Sequence, residues 1–171
     1  MLIVQSFTSI ILASFADLIR RHPSVIYFLT MIAGAAGNAG GQSVVLAVRS
    51  IALGKPNPIK QEIKVGFVLA ACSGITSLLR TLIQGVTFVD SLAIALSVCA
   101  VVFSAVIVGT TLPRLFFKKG IDPAHSVAAT GVITDTISAT VTCVVSLIVI
   151  DVFGGGGGSA AQTASHDHNL L

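Results

Sequence analysis

Charge is what this sequence has least of. Only 10% of its 171 residues are Asp, Glu, Lys or Arg, while 54% are hydrophobic. A soluble domain of ordinary composition carries about 25% charged residues. The deficit excludes a soluble globular fold and leaves an integral membrane protein, with room for one membrane domain and none for a soluble catalytic domain beside it. Cysteine is scarce as well. Cys72, Cys99 and Cys143 are odd in number, lie in apolar stretches and form no C-x-x-C, so they suggest neither a disulfide framework nor a zinc site and read as small packing residues. A P-loop and a nucleophile paired with a base are both missing, so no enzymatic chemistry is expected. The net charge of +3 is too small and too dispersed to suggest nucleic acid.

What the chain does have is long apolar stretches. Five can be marked, over residues 2–19, 24–48, 65–83, 92–117 and 124–150. Each is near the length of about 20 residues that spans hydrocarbon. The expectation is an all-α, polytopic membrane protein of five transmembrane helices over residues 1–153. The first stretch is not read as a cleaved signal peptide, because Arg20-Arg21 follows the apolar run instead of preceding it. Residues 154–171 open with five glycines and continue as a polar tail containing His166-Asp167-His168, which reads as flexible and solvated.

The basic residues predict orientation. Arg49, Lys55, Lys60 and Lys64 join the second stretch to the third, and Arg114, Lys118 and Lys119 join the fourth to the fifth. Arg20, Arg21 and Arg80 fall on the other side. The positive-inside rule makes the two richer loops cytoplasmic, with the N-terminus inside and the C-terminus outside.

Polar groups interrupt the apolar stretches in two places. In the second, Gly37-Asn38-Ala39-Gly40-Gly41-Gln42-Ser43 puts small and amide residues at membrane depth, where no water satisfies them. Gly37 and Gly41 form G-x-x-x-G, a spacing that lets two helices approach closely, and Gly34 lies one turn before Asn38. Asn38 and Gln42, four apart, present two amides on one face, suited to a partner helix or to the water shell of an ion. Gly66, Ala70 and Gly74 in the third stretch indicate packing only, and Ser97 and Ser104 in the fourth can bond back to their own helix.

In the fifth stretch Ser126, Thr130, Thr134, Ser138, Thr142 and Ser146 recur every four residues, a hydroxyl surface along one side. Asp135 is the only acidic residue deep in a span. A carboxylate there costs at least about 2.5 kcal/mol and should face protein or water. A structural hydrogen bond, a proton relay and a cation ligand compete as its role. Two facts favour the cation: no Lys or Arg lies at comparable depth, and Gly131, one turn earlier, offers an unshielded carbonyl. Carboxylate, carbonyl and hydroxyl form an all-oxygen set that suits a hard cation. One carboxylate per chain is thin for a divalent ion, so two chains sharing an ion across a two-fold axis are expected, which predicts a homodimer.

Those residues resemble the membrane domain of the MgtE-type magnesium transporters. Residues 37–43 look like the family's G-G-N-x-G-x-Q-S run, and Arg49-Ser50-Ile51-Ala52-Leu53-Gly54 looks like its R-x-L-A-L-G exit. Glu62 with Gly66 resembles its E-x-x-x-G, while Leu112-Pro113 and Gly120-Ile121-Asp122-Pro123-Ala124 resemble its L-P and G-x-D-P-A marks. Asp135 resembles the acidic residue of its last helix. The resemblance implies a homodimeric magnesium channel or transporter in a cell membrane, with a pore lined by the second and fifth helices. Asp135 and Gly131 would be its metal ligands, and Asn38, Gln42, Thr134, Ser138 and Gly34 would line it. Magnesium gives up its waters reluctantly, so hydroxyls and amides would touch a hydrated ion. Two departures stand out. The family's S-G-P between D-P-A and the Asp is missing, and that spacing is one residue shorter here. The cytoplasmic sensing domains of bacterial members are also missing, so gating is expected to be lost or supplied by another chain. The sequence therefore reads as a Mg²⁺ transport protein. A non-conducting membrane scaffold, a carrier of Mn²⁺, Co²⁺ or Zn²⁺, and a proton-coupled Asp135 are the alternatives.

Overall fold

A computed structural model describes residues 2–54 and 59–154, and among them every regular element is helical. The helices are α1 (Leu2–Ser14), α2 (Ala16–Arg21), α3 (Pro23–Ala52), α4 (Ile59–Ile83), α5 (Phe88–Lys118) and α6 (Ser126–Gly154), with a 3₁₀ turn, Pro123–His125, leading into α6. The all-α class is as expected. Four helices are long and apolar enough to cross a membrane: α3, α4, α5 and α6 with its leading turn.

The fifth expected span, residues 2–19, is not one continuous helix among the described residues. It is divided into α1 of 13 residues and α2 of 6. Thirteen residues rise about 20 Å, short of a hydrocarbon core about 30 Å thick. The Ser14 hydroxyl donates to the Ile10 carbonyl at 3.0 Å, a back-bond that bends helices. The next amide, that of Phe15, then donates to Leu12 at 3.1 Å, one residue tighter than α register.

α5 is the central helix and packs on α3, α4 and α6. Its Ile94, Val98, Val101, Val102, Ala105 and Val106 form the core with Phe28, Ile32, Ala36 and Ala39 of α3 and Ala70 of α4. Lipid tails are as apolar as these side chains, so burying them against each other adds little; close packing must hold the helices together. Glycine supplies it. A Cβ on Gly109 would collide with the Gly40 carbonyl oxygen and lie 3.0 Å from the Ser43 Cβ, so α3 and α5 meet backbone to backbone. Against α4, a Cβ on Gly66 would come within 2.7 Å of Val106, and one on Gly74 would run into the Cys99 sulfur. Gly66, Ala70 and Gly74 are all buried, as a packing face requires.

Contacts along the helices give their directions. His22, before α3, meets Asp90 in the first turn of α5, and Gly40 meets Gly109 farther on, so α3 and α5 run parallel. Gly66 meets Val106 while Gly74 meets Ala95 and Cys99, so α4 runs antiparallel to α5. Arg49, Lys60, Lys64, Arg114, Lys118 and Lys119 therefore gather at one end of the bundle, with Arg20, Arg21 and Arg80 at the other. Lys55 and residues 155–171, which hold the rest of the expected tail, lie outside the described residues.

At the basic end, the family-like motifs are turn chemistry. Gly54 ends α3 at φ +66° and Gly120 ends α5 at φ +72°, left-handed conformations that favour glycine. Asp122 then accepts from the Ala124 amide at 2.9 Å, capping the 3₁₀ turn that begins with Pro123.

Gly109→Val should lower the stability of the bundle by about 2 kcal/mol, as overpacking a rigid backbone contact does, and thermal melting in detergent reads this out. Gly74→Ala should also destabilise, because its methyl meets the Cys99 sulfur. The pair Gly74→Ala/Cys99→Ala should melt closer to wild type than Gly74→Ala alone.

Candidate functional site

The site begins with the geometry of α6. Steps of four residues advance an α-helix by about 40° each. The hydroxyl stripe from Ser126 to Ser146 therefore sweeps around α6, and α5, α3 and α1 pack against the half-turn it covers. All six stripe residues are buried. Ser138 donates to the Thr134 carbonyl at 2.7 Å and Ser126 to Pro123 at 2.6 Å. The hydroxyls of Thr130, Thr134, Thr142 and Ser146 have no partner among the described residues. The expected end-to-end hydroxyl surface is therefore an internal packing face of the subunit. Thr134 is 1% exposed, beside Gly40 at the α3 crossing. The physical reason is size. Ser and Thr are small enough to sit where helices approach most closely, and each can turn its hydroxyl back on its own helix.

Asp135 follows Thr134 by one residue, a rotation of about 100°. That turn carries it from the packed face to the rim, where it is half-buried. It opens into a cavity of about 380 Å³ between α1, α3 and α6, lined by Thr8, Ser9, Leu29, Thr30, Ala33, Ser138 and Ala139. Among the described residues Asp135 has no hydrogen bond or ion pair, and no basic side chain lines the cavity. The space holds on the order of ten waters, more than the six of an octahedral magnesium shell. Gly131 lies one turn earlier on the same side, exposed, and a Cβ there would meet nothing within 4 Å. Side chains on a helix lean toward its N-terminus, so Asp135 leans toward the turn that Gly131 occupies.

The second group of candidates lies along α3. Gly34, Gly37, Asn38 and Gln42 are exposed, and Gly37, Asn38, Gly41 and Gln42 line a shallow open cleft of about 490 Å³ with Val45 and Leu46. No Cβ at Gly34, Gly37 or Gly41 would touch anything within 4 Å. The G-x-x-x-G pair is thus not a packing face within the subunit; Gly40, between its two glycines, holds that role. Leu29, Thr30 and Ala33 of α3 share the cavity with Ser138 and Ala139, whereas Gly40 lies by Thr134. α3 and α6 therefore run antiparallel, and Asn38 stands near the depth of Asp135.

The structure thus brings Asp135 and Ser138 together in one cavity and puts Asn38, Gln42, Gly34 and Gly131 on open faces nearby. Thr134 faces inward. Thr8, Ser9 and Thr30 join Asp135 without having been singled out from the sequence; the only signal was a hydroxyl within an otherwise apolar stretch. Among the described residues no three His, Cys, Asp or Glu side chains converge, so a closed metal cage is absent there.

Comparison with known proteins bears on the same segment. The MgtE family, described as "Divalent cation transporter", matches residues 29–145. The chain is 27% identical over 137 residues to the magnesium transporter MgtE of Enterococcus faecalis, covering 77% of this chain and 30% of the relative. It is 28% identical over 153 residues to that of Thermus thermophilus, covering 83% and 31%. With the Bacillus subtilis protein the figures are 24% over 131 residues, covering 72% and 29%. The chain thus spans about three tenths of the length of these curated relatives. Apolar spans and family match agree on a multi-pass integral protein of the cell membrane. A match over residues 29–145, running from α3 into α6, leaves one conclusion: the chain belongs to the MgtE family of divalent cation transporters.

Proposed function

We propose that this chain moves Mg²⁺ across the cell membrane, inward under its gradient and the membrane potential. The pore forms where α3 and α6 of two copies meet. One observation carries the reading: Asp135 lies well within α6 without a hydrogen-bond or ion-pair partner among the described residues, in a cavity whose other polar lining is hydroxyl. A structural carboxylate would accept from a donor, and a proton relay would have a second titratable group beside it. Among the described residues no lining hydroxyl donates to Asp135 and no second titratable side chain lines the cavity. A hydrated divalent cation satisfies the carboxylate through its charge and the hydroxyls through its waters.

The exposed amides supply the second half of the argument. Asn38 and Gln42 would face lipid in an isolated subunit, at several kcal/mol for each unsatisfied group. A second copy apposed on this face removes that cost, and Gly34, Gly37 and Gly41 leave room for it. Two Asp135 carboxylates near a shared axis would repel each other until a cation lies between them. Ligands that are all oxygen favour Mg²⁺ or Mn²⁺ over Zn²⁺, and the relatives' names favour Mg²⁺. A scaffold would explain the open glycines but give Asp135 no role.

Asp135→Asn should lower Mg²⁺ influx into liposomes at least about tenfold, the effect of losing one charge-assisted contact, while the variant still assembles. Undiminished flux would remove Asp135 from the site, and absence of divalent flux in the wild type would favour the scaffold. Flux that follows an imposed pH gradient would instead make Asp135 a coupling site. Gly37→Leu meets open space within the subunit and should leave its melting temperature unchanged. It should nonetheless shift the molecule from dimer to monomer in light scattering, and a variant that stays dimeric would move the interface off this face of α3.

A further inference from the structure

Along α3 and α6 the Asp135 cavity extends from the carboxylate toward one end of the bundle only. On α6 its other lining residues, Ser138 and Ala139, follow Asp135 by about one turn, toward Gly154. On α3 they are Leu29, Thr30 and Ala33, all before Asn38 and nearer Pro23. Because α3 and α6 are antiparallel, both sets lie away from the basic loops, whereas Gly131 and Gln42 lie toward them. The cavity is thus a chamber between Asp135 and the end of the bundle where α3 begins.

The hydroxyls around that chamber differ in what they already hold. Ser138 donates to the Thr134 carbonyl at 2.7 Å, and the Thr8 hydroxyl is buried. Thr30 is exposed, and its hydroxyl makes no hydrogen bond among the described residues. Two other exposed threonines of the spans turn back on their own helices. Thr76 donates to the Cys72 carbonyl at 2.9 Å and Thr111 to the Ile107 carbonyl at 2.7 Å, since hydrocarbon offers a hydroxyl no other acceptor. Thr30 keeps its hydroxyl for the cavity. It also continues a line along α3: Thr30, Gly34, Asn38 and Gln42 recur at steps of four, each about 6 Å along the axis and about 40° around it. All four are exposed, and Gly34 puts no side chain between the hydroxyl and the amides. The line leads from the Gln42 cleft past Asn38, near the depth of Asp135, into the chamber.

We infer that Thr30 is a further residue of the cation path, whose hydroxyl holds a water of the shell around a cation at Asp135, on the side away from the basic loops. The inference rests on the transport reading. Waters on a cation turn their hydrogens outward, so the hydroxyl oxygen accepts from one of them while the carboxylate supplies the charge. The chamber has room for those waters. Thr30 therefore acts on capture of the ion through its shell, and passage beyond is left to Asp135.

Mg²⁺ influx into liposomes holding the full chain, measured over a range of Mg²⁺ concentrations, tests this. Thr30→Val keeps the shape of the side chain and removes the hydroxyl. It should raise the half-saturating Mg²⁺ concentration about threefold, the effect of one lost neutral hydrogen bond, with maximal flux and melting temperature as in the wild type. Thr30→Ser should restore the wild-type concentration. Thr76→Val, on α4 in a separate crevice of about 340 Å³ beside Arg80, should leave it unchanged. A half-saturating concentration that Thr30→Val does not move, or that Thr30→Ser does not restore, would overturn the assignment. So would loss of maximal flux with early melting in Thr30→Val, which would make the side chain a packing group. Asp135→Asn in the same assay separates the two readings. If it abolishes flux while Thr30→Val behaves as wild type, only Thr30 leaves the path; if it conducts as wild type, the site itself fails.

Discussion

The backbone contact between Gly40 and Gly109 is the constraint on which the rest of this bundle depends. In water, apolar faces would drive α3 against α5; in lipid they have no such preference, and only a close fit distinguishes one rotation of α3 from another. With Gly40 pressed on Gly109 and Ser43 beside it, residues about half a turn away must point outward. Those residues are Asn38 and Gln42, each about 160° around the helix from Gly40 and both exposed. The polar run is thus divided by the helix itself, with Ala39, Gly40 and Ser43 given to packing and the amides to the open face.

The same crossing sets α6. Thr134 packs beside Gly40, and the next residue is turned to the rim. A carboxylate at position 134 would be sealed among helices, and one near the middle of the lipid-facing side would meet hydrocarbon. Position 135 is neither. Its cavity is completed by α1, which meets it with Thr8 and Ser9 instead of the leucines and isoleucines found elsewhere in that helix. The broken first helix and the half-buried carboxylate meet in one arrangement: the short element that closes the Asp135 cavity lines it with hydroxyls.

Much of this was legible in the residues. Scarcity of charge and the lengths of the apolar stretches gave the helical membrane class and the bounds of α3, α5 and α6 to within four residues, while α4 begins six residues before its apolar stretch. Asp135 stood out because a lone carboxylate at depth has few physical uses. Gly66 and Gly74 were correctly read as packing. Facing was harder, since a serine or threonine in a helix can bond back to its own carbonyls on any face, so periodicity alone could not say whether those of α6 look inward or outward. They look inward. G-x-x-x-G misled for a related reason: the motif says that two backbones can approach, not which ones, and Gly40, inside the motif but outside its register, makes the intramolecular contact. The division of the first stretch was not legible either, because Ser14 back-bonding to Ile10 leaves no trace in hydropathy.

The polar faces that remain open differ in kind, and the difference separates their uses. On α3 the open groups are amides, neutral donors and acceptors that suit water, an ion's hydration shell or a symmetry mate. At the end of α4 the open group is the Arg80 guanidinium, a fixed positive charge that repels cations. A cation path running past Arg80 would carry a barrier of like charge, whereas one running past Asn38 toward Asp135 would not. The negative charge of Asp135 and the positive charge of Arg80 thus lie at separate cavities of the subunit that share no lining residue.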